Sequence, residues 1–194
     1  MGPSKSITIL FITSNTHKYI EVAKVLENCN PRIRIVQSNA SKVEVQSDSL
    51  LDIASYAAMT AYLNLGRPLI VEDAGLFIGA LNGFPGPYSS YVFRTIGIEG
   101  ILKLMKGVKR REAYFESVIA LAHSEGVEVF RGRVYGRIAS EPRGSKGFGF
   151  DPIFIPRGSS KTFGEMDVEE KNRVSHRAKA AIKLCRRLSR GRIV

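Results

Sequence analysis

Two carboxylates stand side by side at Glu72 and Asp73, directly after the apolar run Leu69-Ile70-Val71, and the small residues Ala74 and Gly75 follow them. Carboxylates at the C-terminal end of a strand lie where open α/β sheets place their ligand crevice. Paired oxygen donors of this kind can hold a hard cation such as Mg2+. The same two residues would also suit a solvated loop, so the pair alone decides nothing. A second stretch, Thr13-Ser14-Asn15-Thr16-His17-Lys18, joins a strand to a helix. The free first-turn N–H groups and the positive end of the helix dipole make such a junction a phosphate cradle. Lys18 opposes that dipole, and an anion bound between it and the amides would remove the conflict. A plain capped helix with one exposed lysine accounts for the stretch as well.

Two later stretches complete the candidates. Gly144-Ser-Lys-Gly-Phe-Gly-Phe-Asp-Pro152 is too rich in glycine for a regular element. It can lay Phe148 or Phe150 against a ring and let backbone amides reach a ligand. Pro152 is expected to hold Asp151 extended. A core-filling aromatic loop is the alternative. In Lys171-Asn-Arg-Val-Ser-His-Arg177, Ser175 caps the last helix, which leaves His176 and Arg177 in the first turn with donors directed outward.

The elements that must position these groups follow from periodicity. Ser6 to Thr13 reads as a buried first strand, with a helix from Thr16 to Cys29 capped by Asn15 and striped by Val22, Val25, Leu26 and Cys29. Arg32 to Gln37 suggests a second strand. Asp48 is expected to cap a second helix over Ser49 to Asn64, and Gly66-Arg67-Pro68 breaks it ahead of the short strand Leu69 to Val71. Two short helices, Ser89 to Thr95 and Gly97 to Met105, precede a long hairpin, Ala113 to Ala122 and Val127 to Ile138. Ile153 to Pro156 is a final edge strand, and the last helix buries Ala178, Ile182, Cys185 and Leu188. Strands alternating with helices ahead of a hairpin indicate an α/β protein with a mixed sheet.

At 194 residues, with 44% apolar content, the chain suits a globular domain with a sizeable core. Its apolar runs are too short to span a bilayer, and Met1 to Ser6 leads into the first strand without a cleavage-type site. Cys29 and Cys185 form neither a disulfide framework nor a metal motif. Their positions on apolar helix faces suggest buried thiols in a reducing cytoplasm. The net charge of +11 calls for an anionic partner or an unusually basic surface. No acidic residue follows Glu170, whereas nine basic ones do, from Lys171 to Arg192. There is no Walker loop, dinucleotide fingerprint, zinc spacing or RNA-binding signature.

Taken together and in order, Thr13 to Lys18 with Glu21, Glu72 to Leu76, Leu81-Asn-Gly-Phe-Pro-Gly-Pro-Tyr88, Gly147 to Pro152 and Lys171 to Arg177 resemble the inosine triphosphate pyrophosphatase family. The resemblance runs from about residue 7 to 188. It implies an elongated mixed sheet flanked by helices, with two lobes around a central cleft in a single domain over residues 1–194, usually assembled as a homodimer. It also implies Mg2+-dependent hydrolysis of ITP, dITP and XTP to the monophosphate and pyrophosphate. On this resemblance Thr13, Ser14, Asn15, Thr16, His17 and Lys18 grip the phosphates. Glu44 and Asp73 bind the metal, and Asp73 is the general base with Glu72 in support. Ala74, Phe148, Gly149, Phe150, Asp151, Lys171, His176 and Arg177 form the remaining substrate pocket. One departure stands out: Ala74 occupies a position where the family has a small hydroxyl residue, so only its backbone amide is left there.

Two other readings compete. A nucleic-acid-binding protein could use the basic last helix, but Glu44, Glu72 and Asp73 would repel a polyanion, so nucleic acid is not the expected partner. A Maf-like pyrophosphatase acting on pyrimidine nucleotides is opposed by the His176-Arg177 pair. A solvated helix face explains the basic run most simply. Heavy arginine use would suit a heat-adapted source.

Overall fold

The computed structural model describes residues 6–190. The N-terminal stretch before Ser6 and the basic residue Arg192 lie outside them. In chain order the elements are β1 (Ile7–Ile12), α1 (Thr16–Cys29), β2 (Ile33–Ser38), α2 (Leu50–Leu65), β3 (Leu69–Ile78), β4 (Pro85–Gly86), α3 (Ser89–Thr95), α4 (Gly97–Leu104), β5 (Glu112–His123), β6 (Gly126–Ile138), β7 (Phe154–Pro156), α5 (Val168–Asn172) and α6 (His176–Leu188). The strands form one seven-stranded mixed sheet in the order β2-β1-β3-β5-β6-β7, with β4 on β3. β2, β1 and β3 run parallel, and everything beyond β3 is antiparallel.

The register of β3 decides where the site can be. β3 pairs with β1 only at Leu10↔Leu69 and Phe11↔Ile70, yet it continues along β5 to Ile78↔Ala113. The short strand expected over Leu69 to Val71 is therefore ten residues long, and Glu72 and Asp73 sit in its middle. They still lie beyond the end of β1, on an edge that β1 leaves uncovered. Because side chains alternate along a strand, Glu72 shares a face with Ile70 and Leu76, and Asp73 shares the other with Leu69 and Val71.

Apolar packing explains the layers. On the Glu72 face, Ile70, Ile119 and Leu121 pack with α1 and α6. Further along that face, Leu76, Ile78 and Phe115 pack with Phe150, Phe154 and Phe163. The polar pair Glu72 and Ser117 separates these two clusters. On the opposite face Leu69, Val71, Val118 and Ala120 pack with the alanines of α2. Gly132 brings α6 close to β6, since a Cβ there would stand 2.0 Å from the His176 carbonyl oxygen.

Several expectations are corrected. Ser49, not Asp48, caps α2, accepting from the Asp52 amide at 3.2 Å. Ile182 is 37% exposed and does not join the buried stripe of α6. Asp151 opens a 3₁₀ turn over Asp151–Ile153 instead of lying extended before Pro152. Cys29 and Cys185 are not free thiols: they are joined in a disulfide across a separation of 156 residues, tying the end of α1 to α6. The basic run of α6 is partly employed within the fold. Lys179 and Lys183 donate to the Arg133 and Arg131 carbonyls, and Arg187 donates to Glu128. Among the described residues no helix is long and apolar enough to cross a membrane.

Candidate active site

The loop after β1, the strand β3 and the first turns of α1 and α6 meet at a cavity of about 670 Å³, within the size range of small-molecule sites. Thr13, Ser14, Asn15 and Lys18 line it from the first βα junction. Glu72, Asp73 and Ala74 come from β3, and Glu44 from the loop between β2 and α2. Phe148, Gly149, Phe150 and Asp151 form another wall, and His176 and Arg177 close it from α6. Three of the sequence candidates stand outside the lining. Thr16 is exposed on α1. His17 stacks on Phe148 with ring centroids 5.3 Å apart, and it lines a neighbouring pocket together with Lys171.

Local chemistry sets each of these positions. Asn15 caps α1 by accepting from the Lys18 amide at 3.1 Å, and its own amide donates to Thr13 Oγ1. Lys18, which opposes the helix dipole, finds its counter-charges on β3. Its ammonium donates to the Glu72 carbonyl at 3.2 Å, lies 2.9 Å from Glu72 Oε2 and is 4.0 Å from Asp73 Oδ1. The Oε2 contact is an ion pair by distance, but its angles do not make a hydrogen bond, so Oε2 lacks an aligned donor. Gly147, at φ +73°, is needed because a Cβ there would stand 2.1 Å from Asp151 Oδ2. That oxygen accepts from the Phe148 amide at 2.9 Å and so holds the aromatic loop.

Behind the cavity runs a buried chain of alternating charge. Asp151 pairs with Lys171 at 2.6 Å, and Lys171 with Glu21 at 2.6 Å. Arg177 joins Glu21 at 2.5 Å to Glu72 at 3.0 Å, and Glu72 meets Lys18. His176 and Arg177, expected to direct free donors outward, are each only 2% exposed. The Arg177 guanidinium is already occupied by two carboxylates. Removing this many charges from water contributes little net stability, so the network is better understood as orienting the groups that face the cavity.

These surroundings separate the acids. Burial alone would raise Glu72, but the charges of Arg177 and Lys18, with a hydrogen bond from Ser117, outweigh it and hold the carboxyl at about 2. Burial raises Asp73 above its ordinary value despite Lys18, and the neighbouring Glu72 charge adds to the rise. Two adjacent carboxylates thus shift in opposite directions, Glu72 down and Asp73 up. A hydrogen bond from Lys42 lowers Glu44 against the effect of burial, and the Lys42, Lys18 and Arg94 charges add to it. Burial drives His176 well below the usual imidazole value, reinforced by Arg177 and Lys171. Its ring is neutral and stacks on Phe115 at 4.7 Å, and Nδ1 is buried without a partner.

A metal held by Glu72 and Asp73 together does not fit, because the two side chains leave opposite faces of β3 and Glu72 Oε1 already accepts from Ser117 and Arg177. Glu44 and Asp73 do fit a cation held by few protein ligands. Both line the cavity, and Asp73 keeps 25% of its side chain accessible. Among the described residues no group of three or more His, Cys, Asp or Glu could form an all-protein cage, and Mg2+ ordinarily needs only one or two carboxylates beside phosphate and water.

Sequence reasoning did not single out Lys42, Arg94 or Phe115, which also line the cavity, nor the central position of Glu21 in the charge chain. Lys42, Arg94 and Phe115 carry no motif of their own. Glu21 follows Lys18 by one helical turn, which is a signal only once Lys171 and Arg177 are known to face it.

The Ham1 family model matches residues 9–187. The dITP/XTP pyrophosphatase of Hyperthermus butylicus is 64% identical over 178 residues, covering 92% of this chain and 93% of that protein. The dITP/XTP pyrophosphatase of Methanopyrus kandleri is 53% identical over 173 residues, covering 89% and 91%. The structure of a HAM1 protein from Coxiella burnetii superimposes with a TM-score of 0.84 at 30% identity, covering 95% of this chain and 100% of that one.

Proposed function

The chain belongs to the Ham1 family, and from that premise we infer that it is a nucleoside triphosphate pyrophosphatase. It hydrolyses deaminated purine nucleoside triphosphates such as dITP, ITP and XTP to the monophosphate and pyrophosphate. The observation that carries this reading is the Lys18 ammonium set between a Glu72 whose proton affinity is lowered and an Asp73 whose proton affinity is raised, at the wall of one cavity.

The residues divide the work. The first turn of α1 and Lys18 bind the polyphosphate, with amides and ammonium supplying fixed positive charge. Asp73 takes a proton from the attacking water. The water oxygen bonds to the α-phosphorus, the bond from that phosphorus to the bridging oxygen breaks, and pyrophosphate departs with the electron pair. Asp73 suits this task because its raised proton affinity brings it nearer the operating pH than an ordinary aspartate. Glu72 does not accept the proton. Its charge is spent on Lys18 and Arg177, whose positions it holds. Mg2+, held by Glu44 and Asp73 together with the phosphates, would neutralise phosphate charge and acidify a bound water.

The base is proposed to enter between Phe148 and the buried end of α6. Phe148 gives an aromatic plate, flanked by the Lys171 ammonium at 5.1 Å and the Arg177 guanidinium at 5.3 Å from its centroid. Neutral His176 offers one N–H donor and one acceptor. A donor aimed at a 6-keto oxygen is left unpaired by the amino group of adenine, which rejects that base. We further propose that residues 1–194 act as one domain with two lobes about this cavity, that the enzyme is a homodimer, and that it works in the cytoplasm. Cytoplasmic placement fits the disulfide if the source is hyperthermophilic, where intracellular disulfides are common.

The test is incubation with Mg2+ and, separately, ITP, dITP, XTP, ATP and GTP, followed by product identification. Monophosphate plus pyrophosphate from the deaminated substrates, with ATP nearly untouched, is expected. Failure to cleave any of them would overturn the reading.

A further inference from the structure

Among the arginines with described partners, Arg94 is distinguished by its chemistry. Arg177 is held by Glu21 and Glu72, Arg131 and Arg133 by Glu116, Arg187 by Glu128, and Arg111 by three backbone carbonyls. Arg94 lines the cavity, and its described hydrogen-bond partner is a neutral hydroxyl, Ser90 Oγ, at 2.7 Å from Nη1. A guanidinium carries five N–H donors in a rigid fork that matches two phosphate oxygens at once. Most of that fork remains available to the cavity.

The backbone beneath Arg94 is rigidly placed. Ser89 at the start of α3 is buried, accepts from the Leu76 amide at 2.8 Å and donates to the Gly86 carbonyl at 2.7 Å. Leu76 lies three residues beyond Asp73 on the same strand, so α3 is tied directly to the strand that carries the base. Val92 is buried, and Phe93 packs edge-on against Phe150 at 5.5 Å. Arg94 therefore projects from a wall whose distance to Asp73 is set by packing. It also lies within electrostatic reach of Glu44 without an ion pair to it among the described residues. Lys18 occupies the β3 side of the cavity, next to Asp73, where the reacting phosphorus must sit. A triphosphate carries more charge than Lys18 alone can neutralise, and Arg94 faces the same cavity from the α3 wall.

We propose that Arg94, oriented by Ser90, binds the outer phosphates of the substrate and the departing pyrophosphate, and so selects for the length of the polyphosphate. This rests on the pyrophosphatase reading for the substrate, but the binding of pyrophosphate itself can be measured without turnover. The experiment compares wild type with Arg94→Ala and Arg94→Lys in three measurements: kcat/KM for ITP, the Kd of inorganic pyrophosphate and the Kd of inosine monophosphate, each with Mg2+ present. Loss of a charge-assisted bidentate contact should lower kcat/KM for ITP and weaken pyrophosphate binding, each by about thirtyfold. Inosine monophosphate binding should stay within about twofold, and Arg94→Lys should recover only part of the loss, because an ammonium lacks the fork. Arg94 is exposed, so the variants should melt like wild type. Unchanged pyrophosphate binding in Arg94→Ala would overturn the proposal, and so would an equal weakening of monophosphate and pyrophosphate. If wild type cleaves no deaminated triphosphate yet Arg94→Ala still loses pyrophosphate, the pyrophosphatase reading falls and the anion site stands.

Discussion

The Lys18 ammonium donates to the backbone carbonyl of Glu72, at the edge of β3 that β1 leaves uncovered. From there it reaches both neighbouring carboxylates, although they belong to opposite faces of the strand. A single cation thus ties the buried charge network to the group proposed to accept the proton. The predictions below follow from that arrangement.

Asp73→Asn keeps the size of the side chain and removes its proton affinity. We expect kcat to fall by about 10³-fold or more while the thermal melt stays within a few degrees of wild type. Equal activity of the two proteins would remove Asp73 from the mechanism.

Glu72→Gln should act on stability first. It leaves Arg177 and Lys18 without their shared anion in a buried place, a loss of about 3–5 kcal/mol. The carboxyl is depressed in the fold, from an ordinary 4.5 to about 2. Its contribution is therefore present above pH 4.5 and disappears as pH falls toward 2. Denaturant titrations across that window should show a steeper acid loss in wild type than in Glu72→Gln.

Asp73 shifts the opposite way, so its loss of activity should come at higher pH than the acid loss of structure due to Glu72. kcat/KM should decline on the acid side with a midpoint above the ordinary aspartate value of 3.8, while circular dichroism remains native and the loss reverses on return to neutral pH. Simultaneous loss of activity and structure would contradict the separation of the two carboxyls.

His176→Phe preserves a ring to stack on Phe115 and removes the hydrogen-bonding nitrogens. We expect kcat/KM for ITP to drop by about tenfold to a hundredfold, with the residual ATP rate unchanged, so that discrimination narrows. A parallel fall for both substrates would assign His176 to packing.

Cys29→Ser, or reduction of the wild type, opens a loop of 156 residues. The chain-entropy account places that loss at roughly 5 kcal/mol. The melting temperature should drop, and activity below the melt should be retained, because Cys29 lies at the end of α1 opposite to the end that carries Lys18. A thiol titration of the unreduced protein that finds two free groups would refute the cross-link.

Much of this protein was legible in its sequence because the signals are local. The apolar stripe and Asn15 cap define α1 over a few residues, and Ser175 starts α6 in the same way. Alternating and continuous apolar runs mark β1, β5 and β6, and the motif order identifies the family. Even there, the reach of β3 through Glu72 and Asp73 was missed, since a strand that carries two acids looks finished by its apolar pattern. What only the tertiary structure decided is which group meets which. Glu21 and Lys171 are separated by 150 residues, Glu72 and Arg177 by 105, and Cys29 and Cys185 by 156. Sheet register and helix packing bring these residues together, and no periodicity within a window of the chain encodes either. The same holds for the proton affinities: Glu72 and Asp73 are adjacent carboxylates in the sequence, and they diverge because a strand turns one toward Arg177 and Lys18 together and leaves the other at the cavity wall.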